Sequence, residues 1–278
     1  MASSKSSLHG LRILVTGSTD GIGALTADAL ARAGSIVYVH GRNAEKVDRT
    51  ITSLRAHSSK ENAPRGFLAD LASLEETARL AREVAAEVPP IDVLINNAGI
   101  GTGGSQGTRE TSRDGYELRF AVNYLAPFLL TRNLIAAGHT SRAVINVSSI
   151  GQEEIDFDDL MLENHYSGMS AYCRSKLAQI LCTIDIAETY PGVKCHALHP
   201  GTYLDTNMVR RANVRPLGPA SRGADATIFV LNHALGTGQS GLYFNQEKPT
   251  RAHAQAYDRV ARERLRAISE RLTAPFFL

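Results

Sequence analysis

The most constraining feature of this sequence is a regular alternation of short apolar segments with longer segments of helical character. Such an alternation predicts parallel strands joined by right-handed helical crossovers, because a parallel pair needs a long connection. Helices on both faces of the sheet would also explain why the strands are continuous apolar runs. The pattern therefore predicts an α/β fold: one doubly wound domain with a mostly parallel central sheet of about seven strands.

Capping residues set the expected boundaries of the helices. Gly34 closes the first helix, Asn43 and Ser73 begin the next two, and Asp114 opens a long fourth helix. The predicted strands are Leu11–Thr16, Ser35–His40, Arg65–Ala69, Ile91–Asn96, Ala143–Ser148, Val193–His199 and Gly241–Phe244. The predicted helices are Gly21–Ala33, Asn43–Arg55, Ser73–Glu87, Asp114–Ala137, Ala171–Thr189, Ala220–Leu235 and a charged terminal helix, Thr250–Arg271, within 249–272.

Composition narrows the classes of function. The chain has 278 residues, 43% of them hydrophobic, which is enough for the core of one α/β domain. Its net charge of +2 is a weak basis for binding nucleic acid. No apolar run approaches the roughly 20 residues of a membrane span, and residues 1–10 are expected to be a polar tail without a secretion signal. Three cysteines and nine histidines show neither disulfide nor metal spacing, so we expect a cytoplasmic protein without a metal site.

A glycine-rich turn follows the first predicted strand and precedes a helix, in the segment Thr16–Gly23. Glycines at such a turn let the backbone approach a pyrophosphate, which then meets the positive end of the helix. The spacing is GxxxGxG, and a tight strand-to-helix connection is the alternative interpretation. Its place after the first strand of an α/β pattern favours phosphate binding.

Tyr172 and Lys176 lie four residues apart in a predicted helix and therefore share one face. A nearby ammonium group stabilises a phenolate and is expected to lower the tyrosine pKa towards the range useful for proton transfer. Three strands end in polar or turn-forming segments, at Asn146–Ser149, Asn96–Gly99 and His199–Thr202. Because the carboxyl ends of parallel strands meet at one edge of a sheet, we expect these segments to lie close together.

The segments TGSTDGIG, NNAG, the strand end at Ser149, YCRSK and HPG occur in this order over essentially the whole chain. Together they resemble the short-chain dehydrogenase/reductase family. The stretches Ile155–Leu160, Ala171–Lys176 and Gly241–Phe244 resemble its retinol-dehydrogenase-like branch. The resemblance implies a Rossmann-type fold and an NADP(H)-dependent oxidoreductase that interconverts a ketone or aldehyde with an alcohol, on a bulky, apolar small-molecule substrate.

The resemblance also implies roles for single residues. Tyr172 would exchange the proton of the substrate oxygen, Lys176 would lower the Tyr172 pKa and bind the nicotinamide ribose, and Ser149 would donate a hydrogen bond to the developing alkoxide. Asn123 would position a proton-relay water. The implied cofactor-binding residues are Gly17, Ser18, Thr19, Asp20, Gly21, Ile22, Gly23, Arg42, Asp70, Leu71, Asn97, Ala98, Gly99, Tyr172, Lys176, Pro200, Gly201, Thr202 and Thr206.

The choice of NADP(H) over NAD(H) depends on the residues after the second strand. That strand runs into Gly41-Arg42-Asn43, with no carboxylate before Glu45 to bind the ribose hydroxyls of NAD. Arg42 offers a guanidinium to a 2′-phosphate, whereas Asp20 acts against it, so we expect a preference for NADP(H) without exclusivity. Thr206 comes one residue later than in the usual family pattern, which leaves its cofactor contact open.

Two segments and two further functions complete the predictions. Residues 202–221 are expected to form a lid over the substrate, and the acidic stretch 150–165 is either a solvated loop or part of substrate recognition. His199 and Cys173 are interpreted as structural. The alternative functions are reduction of a conjugated C=C bond and a non-catalytic NADP-binding regulatory protein. A homodimer or a homotetramer is also compatible with the resemblance.

Overall fold

The computed structural model describes residues 8–58, 62–103 and 108–278. Its strands are β1 (Arg12–Val15), β2 (Ile36–Gly41), β3 (Arg65–Leu68), β4 (Ile91–Asn96), β5 (Thr140–Val147), β6 (Lys194–His199), β7 (Tyr243–Asn245) and β8 (Lys248–Thr250). They form a single sheet in the order β3-β2-β1-β4-β5-β6-β7-β8. The first seven pair in parallel and β8 is antiparallel to β7. The predicted doubly wound α/β fold is confirmed, and the expected number of strands was one too few.

Helices cover both faces of this sheet. They are α1 (Gly21–Arg32), α2 (Ala44–Arg55), α3 (Leu74–Glu87), α4 (Leu118–Phe120), α5 (Ala126–Ala136), α6 (Gly168–Thr189), α7 (Asn207–Arg211), α8 (Ser221–Thr237) and α9 (Arg259–Thr273). Along β1, Ile13 and Val15 pack in one buried cluster, and Leu14 between them packs in another. Because successive side chains of a strand point to opposite faces, both faces of the strand are buried.

The predicted helix starts at Asn43 and Ser73 are confirmed, since each side chain accepts a hydrogen bond from a main-chain N–H in the first turn of its helix. The prediction that Asp114 opens a helix is wrong. Asp114 accepts a hydrogen bond from the N–H of Leu74 and so caps α3 from a distant part of the chain. The fourth helical segment begins at Leu118, where Glu117 accepts from the N–H of Phe120.

The chain termini also differ from the prediction. Instead of one helix from Thr250, the chain forms β8, a 3₁₀ turn at Ala254–Tyr257 and then α9, which Asp258 caps. Pro249 has no N–H for a helix and fits this edge strand.

The predicted N-terminal tail, residues 1–10, is too long, because Leu8 is buried in the core. Residues 1–7 lie outside the described residues. Among the described helices, none is long and apolar enough to cross a membrane.

The strand order reverses between β1 and β4, and this reversal positions the candidate site. Crossovers that leave neighbouring strands in opposite directions open a crevice at the carboxyl edge of the sheet. The glycine turn follows β1, and the segment Asn97–Gly99 follows β4 next to it. The segments after β5 and β6 continue along the same edge, as the sequence predicts.

A buried chain of polar side chains fixes the relative positions of β4, β5 and the flanking helices. Asn96 donates to Thr131 at 3.0 Å and to Asn146 at 2.9 Å, and Asn146 donates to Thr183 at 2.9 Å. All four side chains are buried. The removal of one member would leave its partners unpaired inside the protein.

We therefore expect Asn146→Leu to lower the free energy of unfolding by about 2–4 kcal/mol, because it removes the partner of both Asn96 and Thr183. Thr183→Val leaves the bond between Asn96 and Asn146 in place and should cost less. Urea unfolding followed by circular dichroism measures both variants. A free energy of unfolding for Asn146→Leu equal to that of the wild type would contradict this role.

Candidate active site

The turn between β1 and α1 brings backbone against backbone. Gly17 has φ +63°, and a Cβ atom there would lie 2.8 Å from the Cα of Ala98. A Cβ on Gly23 would overlap the carbonyl oxygen of Gly17 and the side chain of Asn97. Thr16 holds the two turns together, because its Oγ1 accepts from the N–H groups of Asn97 and Ala98, each at 3.0 Å. The result is a narrow backbone cradle at the start of a helix, which fits a pyrophosphate.

His40 stabilises this cradle through the main chain of Gly17, a role that the sequence analysis did not predict. Its Nδ1 accepts from the N–H of Gly17 at 3.1 Å, and its Nε2 lies 3.2 Å from the carbonyl oxygen of Ala69. This pair of contacts requires the neutral ring with its proton on Nε2. Burial lowers the pKa of His40 to about 4, which agrees with that tautomer. The signal in the sequence was a polar residue at the end of an otherwise apolar strand.

Ser18 belongs to the framework of the turn, not to its open side. It is fully buried and exchanges hydrogen bonds with the main chain of His40. Thr19 packs against Gly41, immediately before Arg42, since a Cβ on Gly41 would lie 2.6 Å from the Thr19 methyl group. Ile22 packs beside Gly223 of α8. The predicted turn residues are therefore brought together, but they differ in whether they face the cradle.

Asp20 is the charged residue of the glycine turn, and three groups contact its carboxylate. Its carboxylate accepts from the N–H of Gly21 at 2.7 Å and from Asn207 at 2.7 Å, and it lies 3.5 Å from the Lys46 ammonium. Partial burial acts to raise the pKa of Asp20, but these hydrogen bonds and the ammonium outweigh it, so the pKa lies below its usual value. Lys46 was not predicted, although it lies only four residues after Arg42.

Arg42 is exposed at the end of β2. Its guanidinium makes no hydrogen bond or ion pair with any other residue in the parts of the chain that the structure describes. Asp70 follows β3; its carboxylate accepts from the N–H of Ala72 at 3.1 Å and lies 3.7 Å from Arg113. Leu71 is buried in the core. Arg42 and Asp70 thus lie at the ends of neighbouring strands, beside the glycine turn.

The four predicted catalytic residues come together where β5, α6 and the α4–α5 segment meet. The side chains of Tyr172 and Ser149 lie close together, because a Cβ on Gly151 would lie 3.5 Å from the Ser149 hydroxyl oxygen and 3.8 Å from the Tyr172 ring. The Lys176 ammonium lies 5.9 Å from the centre of the Tyr172 ring and donates to the carbonyl oxygen of Val147 at 2.9 Å. A Cβ on Gly99 would lie 3.2 Å from Asn123 Oδ1 and 3.5 Å from the Lys176 nitrogen.

Asn123 fixes the segment that follows β4. Its side chain accepts from the N–H of Ile100 at 2.8 Å and donates to the carbonyl oxygen of the same residue at 3.1 Å. A further bond joins its Nδ2 to Ser175 at 3.0 Å. Asn123 lies in a π-helical turn, Ala121–Leu125, between α4 and α5. Such turns redirect single side chains and are frequent at functional sites.

Burial dominates the electrostatics of this cluster. It lowers the pKa of Lys176 to about 8, because the ammonium has left water. It also raises the pKa of Tyr172 above its usual value, although the hydrogen bond to Ser149 acts in the opposite direction. The prediction that Lys176 lowers the Tyr172 pKa is therefore wrong, since this pKa lies above its usual value. Tyr172 is a protonated hydroxyl at neutral pH and is suited to donate a proton.

The segment after β6 closes the other side of the crevice. His199 Nε2 lies 3.0 Å from the Thr202 hydroxyl, and Gly201 has φ +135°. Thr206 caps α7, and its methyl group would lie 3.3 Å from a Cβ on Gly21. Despite its unusual spacing, Thr206 thus lies beside the glycine turn. Pro200 directly follows the end of β6.

The segment 202–221, which is predicted to form a lid, contacts the segments that follow β1 and β4. In addition to the bond from Asn207 to Asp20, the side chain of Met208 lies against Gly101 after β4. Five exposed apolar side chains lie in this segment or near the predicted catalytic residues in the sequence: Ile150, Met169, Tyr203, Met208 and Leu217.

The acidic stretch 150–165 is tied to neighbouring elements by arginines. Glu153 pairs with Arg174 at 2.9 Å, and Asp158 pairs with Arg264 at 2.8 Å. These pairings assign the two carboxylates a structural role, since both are occupied by side chains of α6 and α9. The charges of Glu153 and Asp158 are thus explained by these ion pairs, without a role in substrate recognition.

The titration of His40 leads to a test of the cradle. Because its pKa of about 4 in the folded protein lies below the unfolded value of 6.5, the unfolded state binds more protons between these values. Stability is thus complete above pH 6.5 and falls towards pH 4. We expect His40→Asn, which does not titrate, to reduce this fall by up to about 3 kcal/mol. Urea unfolding at pH 7 and pH 4.5 measures it; equal falls in both proteins would contradict the contact.

Comparisons with known proteins agree with this site. The family model described as short chain dehydrogenase matches residues 12–216. Human retinol dehydrogenase 14 is 33% identical over 294 residues, covering 95% of this chain and 86% of its own. DnrU of Streptomyces sp. (strain C5), a candidate daunorubicin C-13 ketoreductase, is 34% identical over 249 residues, covering 87% and 85%.

A solved structure extends the comparison to a cofactor complex. The candidate short chain dehydrogenase of Shigella flexneri 2a, complexed with NADP, has a TM-score of 0.67 and 25% identity, covering 88% of this chain and all of its own. The order of strands, the glycine cradle and the cluster of Ser149, Tyr172 and Lys176 agree with these similarities. The chain belongs to the short-chain dehydrogenase/reductase family of oxidoreductases, in its retinol-dehydrogenase-like branch.

Proposed function

We propose that this protein is an NADP(H)-dependent oxidoreductase that interconverts a ketone or aldehyde with an alcohol on a bulky, apolar substrate. The observation that carries the proposal is the close approach of the Ser149 and Tyr172 side chains, with the buried ammonium of Lys176 beside the Tyr172 ring. A protein that only sensed a nucleotide would not need a proton donor at this place. The family membership supports the same chemistry.

Each residue of the cluster has a distinct role in the proposed reaction. When bound, a nicotinamide cofactor supplies or accepts the hydride. Tyr172 holds the proton that the substrate oxygen receives, and Ser149 donates a hydrogen bond to the charge that develops on that oxygen. Lys176 holds a positive charge next to the Tyr172 ring and so stabilises the phenolate that remains. Asn123 keeps the segment after β4 in place through both main-chain groups of Ile100.

The charges beside the glycine turn support NADP(H). Arg42 is exposed and makes no ion pair within the described residues, so its guanidinium is available for a 2′-phosphate. Lys46 adds a second cation one helical turn further on. Asp20 would repel the phosphate, but Asn207, the N–H of Gly21 and Lys46 already share its charge. A structural relative complexed with NADP is consistent with this preference.

The surface around the crevice supports an apolar substrate. The exposed side chains Ile150, Met169, Tyr203, Met208 and Leu217 would be covered by a bulky apolar molecule that reaches Tyr172. Methionine adapts its shape to irregular ligands. Among the relatives, one is named for the alcohol retinol and another for a C-13 ketoreductase activity.

Removal of the Tyr172 hydroxyl tests the chemistry. We expect Tyr172→Phe to lower kcat for carbonyl reduction by about 10²–10⁴, the usual contribution of a positioned acid. The dissociation constant of NADPH should change little, because the ring remains. Oxidation of NADPH at 340 nm with a panel of ketones and aldehydes measures turnover, and product analysis with an enone separates C=O from C=C reduction. Near-normal turnover of the variant would contradict the proposed donor.

The pH dependence tests Lys176. Since its pKa is about 8, its positive charge is lost as the pH rises through that value, and the rate of carbonyl reduction should fall there. Lys176→Arg retains a cation at all accessible pH values. If the charge is what matters, this variant should keep part of the activity and lose the alkaline fall near pH 8. A fall unchanged in the variant would assign the titration to another group.

Arg42→Ala tests the choice of cofactor. It should raise the KM for NADPH about tenfold or more, the value of a lost hydrogen bond between charged groups, and barely change the KM for NADH. Arg49→Ala, a matched control, removes the same charge from the exposed side of α2. An equal effect of both variants would indicate only long-range attraction, and better use of NADH by the wild type would overturn the preference.

A further inference from the structure

Two side chains outside the catalytic set converge on the main chain of Ser149. The Tyr243 hydroxyl donates to the carbonyl oxygen of Ser149 at 2.9 Å, and Gln152 Nε2 donates to the same oxygen at 3.1 Å. A carbonyl oxygen has two lone pairs, so both are occupied. The Ser149 hydroxyl in turn accepts from the N–H of Gly151 at 3.0 Å. The serine is therefore oriented through its backbone and its side chain.

These contacts come from the C-terminal part of the chain. Tyr243 lies on β7 and is buried. The oxygen of the Gln152 amide accepts from the N–H of His253 at 2.7 Å. Two residues further, the Gln255 amide bonds both main-chain groups of Ile155, at 2.7 and 2.9 Å. The segment that follows β8 is thus fastened along the segment that follows Ser149.

We propose that Tyr243 and Gln152 are positioning residues for the reaction, which hold the Ser149 hydroxyl in the direction required by the substrate oxygen and by Tyr172. The proposal rests on the function proposed above. A rotated Ser149 would turn its hydroxyl away from Tyr172, and a positioned donor is effective only within a narrow range of geometry.

Tyr243 and Gln152 both remain hydrogen-bond donors over the working pH range. Burial raises the pKa of Tyr243 well above its usual value, so its hydroxyl remains a donor. The titratable groups that face the catalytic hydroxyls are Tyr243, Lys176 and the buried Cys173. The hydrogen bond from Ser149 acts to lower the Tyr172 pKa. Loss of the Ser149 orientation should therefore raise that pKa.

Tyr243→Phe is the direct test. Loss of one neutral hydrogen bond to Ser149 should lower kcat about fivefold to tenfold while the KM for NADPH stays within about twofold. The alkaline titration of Tyr172, measured as the 295 nm absorbance that Tyr172→Phe removes, should shift to higher pH. Gln152→Glu should act in the same direction, because it keeps an acceptor for His253 but replaces the donor to Ser149.

Tyr116→Phe provides the matched control, since its hydroxyl bonds the carbonyl oxygen of Leu272, away from the catalytic cluster. It should leave kcat and the Tyr172 titration unchanged, whatever it does to the melting temperature. Wild-type kcat and titration in Tyr243→Phe would overturn the positioning role, while loss of activity in Tyr172→Phe would leave the proposed function intact. A wild type inactive on all carbonyls would instead overturn that function, and the 295 nm titration would still decide the positioning role.

Discussion

The close approach of the turn after β1 to the turn after β4 is the constraint on which the site depends. At Gly17 and Ala98 the two backbones leave no room for a side chain, and Thr16 bonds both segments. This contact exists because the strand order reverses between β1 and β4. It fixes the glycine cradle on one side and Gly99, next to Asn123 and Lys176, on the other.

Burial lowers the pKa values of the titratable groups Lys176 and His40 in this crevice. Lys176 is held by the carbonyl oxygen of Val147 and has a pKa of about 8. His40 is neutral beneath the glycine turn, where it both accepts and donates a hydrogen bond. In a medium of low polarity, each contact is stronger than in water, and an unpaired group would be costly. The same reasoning applies to the buried carbonyl oxygen of Ser149, which accepts from both Tyr243 and Gln152.

Much of the fold could be predicted from the sequence because its signals are local. Asn43 and Ser73 cap their helices through residues three positions away, and apolar strands between helices predict a parallel sheet. The cluster of Ser149, Tyr172 and Lys176 was also predicted, because the segments after parallel strands meet at one edge. Asp114 shows the limit, since its partner is the N–H of Leu74, forty residues away, and no local pattern distinguishes it from a cap of its own helix.

The sequence by itself thus determined the α/β class, most helix and strand positions, and the set of residues that gather at the carboxyl edge. Only the tertiary structure decided that burial raises the Tyr172 pKa, that His40 accepts from the N–H of Gly17, and that Tyr243 donates to the carbonyl oxygen of Ser149. Periodicity and capping depend on neighbours within one or two turns of the chain. Desolvation and contacts between Ser149 and a residue 94 positions away depend on how the elements pack, which no local pattern encodes.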